Sequence, residues 1–270
     1  MSTTLLINKP IGLSPLDVIK ELKLNNPDLK DKKIGFAGRL DPMAEGLLLL
    51  LVGDENKERE KYLRLPKTYE IKILLGVETD SYDLLGRITR VSPNIQKDRQ
   101  GSDPLAWIPD TMNTWFEDDA YITNNLKSFV GTFLQKYPPY SSPKIAGKSL
   151  FALARSGTLS AEDIPSKERT IFSISNTTTS HLSGKEIASY AIETITKVNG
   201  DFRQEECIGS WNDFVKDHSD SVFPLLACTV SCSSGTYMRS LAHDLGAKLG
   251  CSGLAYSIKR IKIGEYKISD

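Results

Sequence analysis

Gly35-Phe36-Ala37-Gly38-Arg39-Leu40-Asp41-Pro42-Met43-Ala44-Glu45-Gly46 is the most informative stretch of this chain. Its glycines allow tight backbone turns. Asp41 precedes Pro42, whose ring pushes it toward extended backbone and away from helix. The apolar run that follows, residues 46–52, reads as a buried strand. An acid on a glycine-rich loop between buried strands suits a presented functional group. By pattern alone, a turn-capping aspartate is the commoner reading of such a residue.

Working outward, residues 4–7 read as a short strand, followed by the Lys9-Pro10-Ile11-Gly12 turn. Ser14-Pro15-Leu16-Asp17 is a helix start, with a Ser cap, Pro at the first helical position and an acid in the first turn. Ile19 and Leu22 give that helix its apolar stripe. Residues 56–63 read as helix and 68–75 as a strand with 87–91 as its partner. Residues 91–119 have no clear period and read as a surface excursion. Residues 124–133 read as helix, which Pro138-Pro139-Tyr140 follows as a stiff extended segment. Residues 147–156 read as a short helix, 170–179 and 188–198 as paired strands, and 199–221 as a second, acidic insertion. Residues 225–231 form a strand leading into Ser233-Ser234-Gly235. The helix after it carries Met238, Leu241, Leu245 and Leu249 on one face and stops at Gly250, and residues 259–268 form the last strand. Strands and helices mix without a regular βαβ rhythm. The expected class is α+β, a largely antiparallel sheet flanked by helices around a central cleft.

The 270 residues suit one domain, expected over 1–270, with surface insertions at about 92–119 and 199–221. No apolar run approaches the roughly 20 residues that span a membrane. The first residues lack the basic start and long apolar stretch of a signal peptide, so a cytoplasmic address is expected. Four cysteines make no disulfide framework in so long a chain. Cys228 and Cys232 would share one sheet face, while Cys207 and Cys251 stand alone, so buried thiols and no metal are expected.

Charge is balanced, 34 Lys and Arg against 34 Asp and Glu, which at first sight argues against a nucleic-acid partner. The distribution says otherwise. Residues 103–119 hold five acids and no Lys or Arg, and residues 201–220 hold six acids against two bases, leaving a net +9 elsewhere. Lys136, Lys144, Lys148 and Arg155 fall in residues 131–157, which contain no acid. A basic surface beside acidic insertions is one reading, and ordinary solvated lysines the other.

Much chemistry is absent. The chain has no phosphate-binding Gly-x-x-x-x-Gly-Lys-Ser/Thr loop, no Gly-x-Gly-x-x-Gly, no His-Glu-x-x-His and no Gly-x-Ser-x-Gly. His243 and Asp244 are adjacent on a helix and diverge by about 100°, so they make no ready dyad. These absences disfavour nucleotide hydrolysis, zinc chemistry and serine hydrolysis, and no cofactor is expected.

The 35–46 loop resembles the central motif of the TruB family of tRNA pseudouridine synthases, Gly-His-x-Gly-x-Leu-Asp-Pro-x-Ala-x-Gly. Further blocks match in the family's order. They are Lys9-Pro10-x-Gly12, Lys67-Thr68-Tyr69, the run from Leu75 to Asp83 with Gly86, Gln135-x-x-Pro138-Pro139-Tyr140-Ser141-Ser142-x-Lys144 with Gly147, and Ser233-x-Gly235-Thr236-Tyr237-x-Arg239-x-Leu241 with Asp244-Leu245-Gly246. The resemblance implies the pseudouridine synthase fold and isomerisation of uridine 55 in the TΨC loop of tRNA, with no cofactor and no obligatory protein partner. A monomer is expected. Asp41 would be the catalytic carboxylate, as nucleophile or electrostatic partner; Arg239 would hold it in a bidentate pair; Tyr69 would stack on the target base and remove its C5 proton. Tyr237 would wall the pocket, and residues 254–260, beginning at Leu254, resemble the family's closing block. The target base must leave its stack to be reached. Phe36, Arg39, Lys9, Lys144, Lys148 and Arg155 are then candidates to face the RNA, the cations through its phosphates.

The sequence departs from the family at several points. Phe36 stands where the motif has histidine, keeping a π-face without ring nitrogens, and Arg39 replaces a small residue. Ser14-Pro15, Pro143 and Asn56 replace Thr-Ser, Ala and Thr. The chain ends after the closing block, so no RNA-binding tail domain is expected. Two rivals follow: a catalytically inactive tRNA-binding chaperone, and a guide-RNA-dependent synthase. Retention of Asp41, Tyr69 and Arg239 disfavours the first, and reliance on a tail domain and protein partners disfavours the second.

Overall fold

The computed structural model of the chain describes residues 3–92 and 119–268. In chain order the elements are β1 (Thr3–Lys9), α1 (Pro15–Asn25), β2 (Ile34–Phe36), β3 (Ala44–Val52), α2 (Arg59–Leu63), β4 (Lys67–Leu75), β5 (Val77–Thr79), β6 (Ile88–Val91) and α3 (Asp119–Lys127). There follow β7 (Gly131–Lys136), β8 (Lys144–Ile145), β9 (Lys148–Ser149), α4 (Leu150–Arg155), β10 (Ser166–Ser183), α5 (Gly184–Thr196), α6 (Gln204–His218), β11 (Val222–Cys232), α7 (Met238–Lys248), β12 (Gly253–Ile263) and β13 (Tyr266–Lys267).

Among the described residues the main sheet runs β1-β3-β12-β4-β11-β10-β7, with β2 on β3 and β13 on β12. Every pairing is antiparallel except β3 with β12. The fold is the α+β arrangement expected. Period-2 alternation sends β4, β11 and β12 side chains to two cores. Ile71, Ile73, Leu226, Val230 and Ala255 pack on α7 and α3, whereas Leu74, Phe223, Leu225 and Leu254 pack on α5 and α6. β3 is buried on both faces, Leu47, Leu49 and Leu51 on one and Leu48 and Leu50 against α1 on the other. Its unbroken apolar run follows from that double burial.

Four expectations are corrected. Of residues 188–198, those up to Thr196 belong to helix α5, not to a strand. β-branched residues suggest a sheet there, but Ile187, Ala188, Ala191 and Ile195 bury at helical spacing, and Ser183 with Glu186 closes a capping box. Residues 199–221, expected as a surface insertion, contain α6, whose Cys207, Trp211 and Phe214 are buried in the second core. β6 pairs with β5, not with β4. The expected helix over 124–133 divides, α3 ending at Lys127 and β7 starting at Gly131, whose φ is +119°. The insertion expected at 92–119 falls on residues 93–118, outside those described.

Candidate active site

Asp41 stands on the loop between β2 and β3. The Asp41 carbonyl accepts from Ala44 N at 3.0 Å, and Gly12 N donates to Pro42 O at 2.8 Å, so β1's turn props the loop from behind. Leu40 and Met43 are buried on either side of it. The loop is therefore anchored, and the Asp41 side chain, one-third exposed, faces a cleft of ≈ 390 Å³. Phe36, Arg39, Tyr69, Tyr237, Arg239 and Arg260 line the same cleft. Arg260, 1% exposed, grips the loop's backbone: Nη1 donates to Arg39 O and Nη2 to Gly38 O at 3.2 Å each, and Nε to Leu47 O at 2.8 Å.

Arg239 enters from the first turn of α7 and is 3% exposed. Its Nε lies 2.9 Å from Asp41 Oδ2 and 3.7 Å from Asp83 Oδ2. The expected bidentate pair with Asp41 is not formed. Nη1 donates to Ser81 O at 2.9 Å and Nη2 to Tyr140 O at 3.0 Å, so the two terminal nitrogens are committed to carbonyls. The Nε–H is not aimed at either carboxylate closely enough for a hydrogen bond, and the contact with Asp41 is an ion pair. Burial opposes the charge on Arg239, yet Asp41 and Asp83 outweigh it and hold its pKa above the ordinary value. Burial pushes Asp83 up, with Arg239 and the Ser81 hydroxyl pulling back. Ser81 Oγ and Leu85 N donate to Asp83 Oδ1 at 2.6 and 3.0 Å.

The β4–β12 register sets Tyr69 opposite Arg260. Burial raises the Tyr69 pKa, while Arg260 works against it, so the group stands as a neutral phenol. Tyr237 caps α7; Gln135 holds its backbone in both directions, accepting from Tyr237 N at 2.9 Å and donating to its carbonyl at 3.0 Å. Tyr237 and Tyr137 meet edge-on at 5.5 Å. Lys67 Nζ is held by Leu63 O, Leu65 O and Ser234 Oγ, and burial brings its pKa down to about 8.

Phe36 is half-buried, and the guanidinium carbons of Arg39 and Arg59 lie 5.9 and 5.5 Å from its ring centroid. Arg59 Nε also donates to Phe36 O at 3.2 Å. Among the described residues neither arginine forms an ion pair with a carboxylate. Lys144 and Lys148 are exposed on the β8–β9 hairpin outside the cleft, and Arg155 pairs with Asp201.

Two candidates are corrected. Lys9 is fully buried, its Nζ donating to Pro10 O at 2.8 Å and Leu13 O at 2.7 Å, so it builds the turn behind Asp41 and faces no substrate. Leu254 is fully buried in the second core, because the register shift between Ala255 and Ser257 reverses the strand's faces and turns Leu254 away from the cleft that Ile258 and Arg260 line. Asp83, Arg260, Lys67 and Arg59 escape sequence reasoning. The first three lie in or beside matched blocks, but nothing in their spacing says that they converge on one cleft.

Two solved structures share the fold over 98% of this chain. One, a Cbf5-Nop10-Gar1 complex, superposes with a TM-score of 0.51 at 17% identity; the other, an H/ACA RNP bound to a substrate RNA containing 2'-deoxyuridine, at 0.50 and 15%. This chain spans about half of each of those chains, 50% and 49%. The fold is that of the pseudouridine synthases. Residues 27–104 match the N-terminal domain of the TruB family pseudouridylate synthases. A tRNA pseudouridine synthase B of Dehalococcoides mccartyi is 30% identical over 270 residues, all of this chain and 68% of the relative. Those of Clostridium kluyveri and Aquifex aeolicus are each 28% identical over all of this chain and 70% and 71% of their own length. The chain belongs to the TruB family of pseudouridine synthases.

Proposed function

We propose that this protein is a tRNA pseudouridine synthase that isomerises uridine 55 in the TΨC loop, acting as a monomer in the cytoplasm with Asp41 as its catalytic carboxylate. The observation that carries this reading is the Asp41 carboxylate, partly open to a cleft and 2.9 Å from the buried Arg239 guanidinium. In the isomerisation N1–C1′ breaks, the base turns and C5–C1′ forms, with the proton lost from C5 and N1 left protonated. A fixed anion beside C1′ or the base serves that sequence as nucleophile or as electrostatic partner. Arg239 lies against the Asp41 carboxylate as an ion pair and holds it in place. The neutral Tyr69 phenol suits a stacking face; service as the base at C5 would need the phenolate that its burial disfavours. The target base reaches the cleft only after leaving its stack, and Arg39 and Arg59, unpaired beside Phe36, supply charge for the phosphates next to it.

The test is to incubate unmodified tRNA transcript with the purified protein alone and map pseudouridine. Conversion at position 55 is expected; none, or conversion elsewhere, overturns the reading. Asp41→Asn, which keeps size and loses charge, should abolish conversion while tRNA affinity stays within a few-fold. Substantial turnover by a folded Asn variant would sink the role of Asp41, and an inactive wild type that still binds tRNA would point to the chaperone.

A further inference from the structure

We propose that Asp80, Arg203 and Tyr140 form a positioning triad that sets the two carbonyls gripping Arg239, so that the N-terminal end of α6 tunes the catalytic centre from outside it. The inference rests on the reading of Asp41 and Arg239 as the working pair.

The terminal nitrogens of Arg239 depend on Ser81 O and Tyr140 O. These carbonyls belong to separate segments, one after β5 and one in the Pro138-Pro139-Tyr140 stretch. A single guanidinium ties the two segments together. Arg203 Nη1 donates to Asp80 Oδ2 at 2.8 Å and Nη2 to Asp80 Oδ1 at 3.1 Å, and Asp80 immediately precedes Ser81. The same guanidinium carbon lies 4.4 Å from the centroid of the Tyr140 ring. The Tyr140 hydroxyl, 3.5 Å from Asp80 Oδ2, closes the triangle. A bidentate fork together with a cation–π face fixes both position and plane, which a point charge does not.

The surroundings indicate that the geometry is imposed. Arg203 adopts φ +62°, a left-handed backbone that disfavours a residue with a Cβ, and Tyr82, two residues beyond Asp80, adopts φ +64°. The Tyr82 ring stacks on His243 of α7 at 3.8 Å and 8°. Tyr140 meets Phe151 edge-on at 5.8 Å, and Phe151 meets Phe202, the neighbour of Arg203, at 6.1 Å. Arg203 is 11% exposed, shielded beside a second cavity that opens onto Asp41 and Arg239. Arg87 also holds Asp80, its backbone N donating to Oδ1 at 3.1 Å, its Nε to Oδ2 at 3.3 Å, and its carbonyl accepting from Asp80 N at 3.0 Å, but the Arg87 side chain is 55% exposed. The fork from Arg203 is therefore the shielded side-chain contact on the Asp80 carboxylate.

The test uses the full chain as wild type, Arg203→Ala, Arg203→Lys and, as a fold control, Phe214→Leu, which thins the α6 core without touching the triad. Single-turnover rate at saturating tRNA transcript, tRNA Kd, Tm and the ¹⁵N signal of the Arg239 Nε–H group, assigned by its loss in Arg239→Lys, are measured for each. Arg203→Ala should slow the maximal rate about ten- to a hundredfold, as expected for a sub-ångström misplacement. Its Kd should stay within a few-fold and its Arg239 signal should shift or broaden. Arg203→Lys, kept charged without the fork, should restore only part of the rate, and it carries the test if the Ala variant does not fold. Phe214→Leu should lower Tm while keeping the wild-type rate and Arg239 signal. A wild-type rate and unmoved Arg239 signal in both Arg203 variants overturns the triad. So does an equal rate loss in Phe214→Leu, which would make the effect one of general stability. If the wild type makes no pseudouridine, the proposed function fails separately, and the Arg239 signal alone decides the triad.

Discussion

Arg239 spreads three nitrogens over three partners, and that division makes lysine a poor substitute. A lysine could hold the charge near Asp41, but it would leave the buried Ser81 and Tyr140 carbonyls short of donors, at about 1–3 kcal/mol each. Arg239→Lys should accordingly lose activity by at least about a hundredfold, nearly as much as Arg239→Ala; a fully active Lys variant would show that diffuse charge suffices. Lys9 illustrates the opposite case, a cation with a purely internal role. Burial leads in lowering its pKa to about 8, with Asp41 pulling it back up. The unfolded chain keeps this proton up to about 10.4. Between those limits the unfolded state binds more protons, so Lys9 makes the fold gain stability as pH rises from 8 to 10.5. The difference in unfolding free energy, wild type minus Lys9→Met, should grow by roughly 2–3 kcal/mol across that window, at 1.36 kcal/mol per unit. Urea titrations at several pH values check it, and a flat difference would mean that Lys9 keeps its ordinary pKa.

At the scale of elements, the parallel β3–β12 contact is what holds the loop that carries Asp41. Gly46 pairs with Lys9 of β1 and with Arg260 of β12. Its φ is +100°, and a Cβ there would meet Arg260 O at 2.4 Å. Gly46→Ala combines left-handed strain with a backbone clash, each worth about 1–3 kcal/mol. A fall in Tm of roughly 5–15 °C is expected. Because Arg260 clamps Gly38 and Arg39, the variant's folded fraction should also lose activity. Calorimetry together with specific activity checks this, and an unchanged Tm would show that β12 yields without cost. Helix α6 contributes in another way: Trp211 Nε1 donates to Leu84 O at 3.0 Å, tying the second core to the segment that carries Asp83.

For the whole molecule, zero net charge hides an uneven distribution. Arg39 and Arg59 at the cleft and Lys144 and Lys148 on the β8–β9 hairpin are all exposed. Each phosphate neutralised adds about −0.7 to −0.9 to the slope of log K against log salt. Four such contacts predict a slope near −3 for tRNA binding, measured by titration at several salt concentrations. A near-flat slope would mean that these cations share no face with the RNA.

The sequence by itself determined the α+β class and pointed to residues that the fold gathers in one cleft. Asp41, Tyr69, Arg239, Phe36 and Tyr237 were legible because each sits in a matched block whose local turn or cap is encoded by its neighbours, such as Pro42 after Asp41. Boundaries set by short-range rules also held, as with the Ser14 cap of α1 and the stop of α7 at Gly250. What required the tertiary structure was everything set by contacts distant in sequence. The irregularity in β12 between Ala255 and Ser257 turned Leu254 away from the cleft, and burial alone turned Lys9 from a phosphate candidate into a brace. Helix α5 was obscured by β-branched residues until its packing face was known. The grip on Arg239 joins residues 81, 140 and 203, and no local pattern encodes such a junction, since it exists only once three separate segments have packed together.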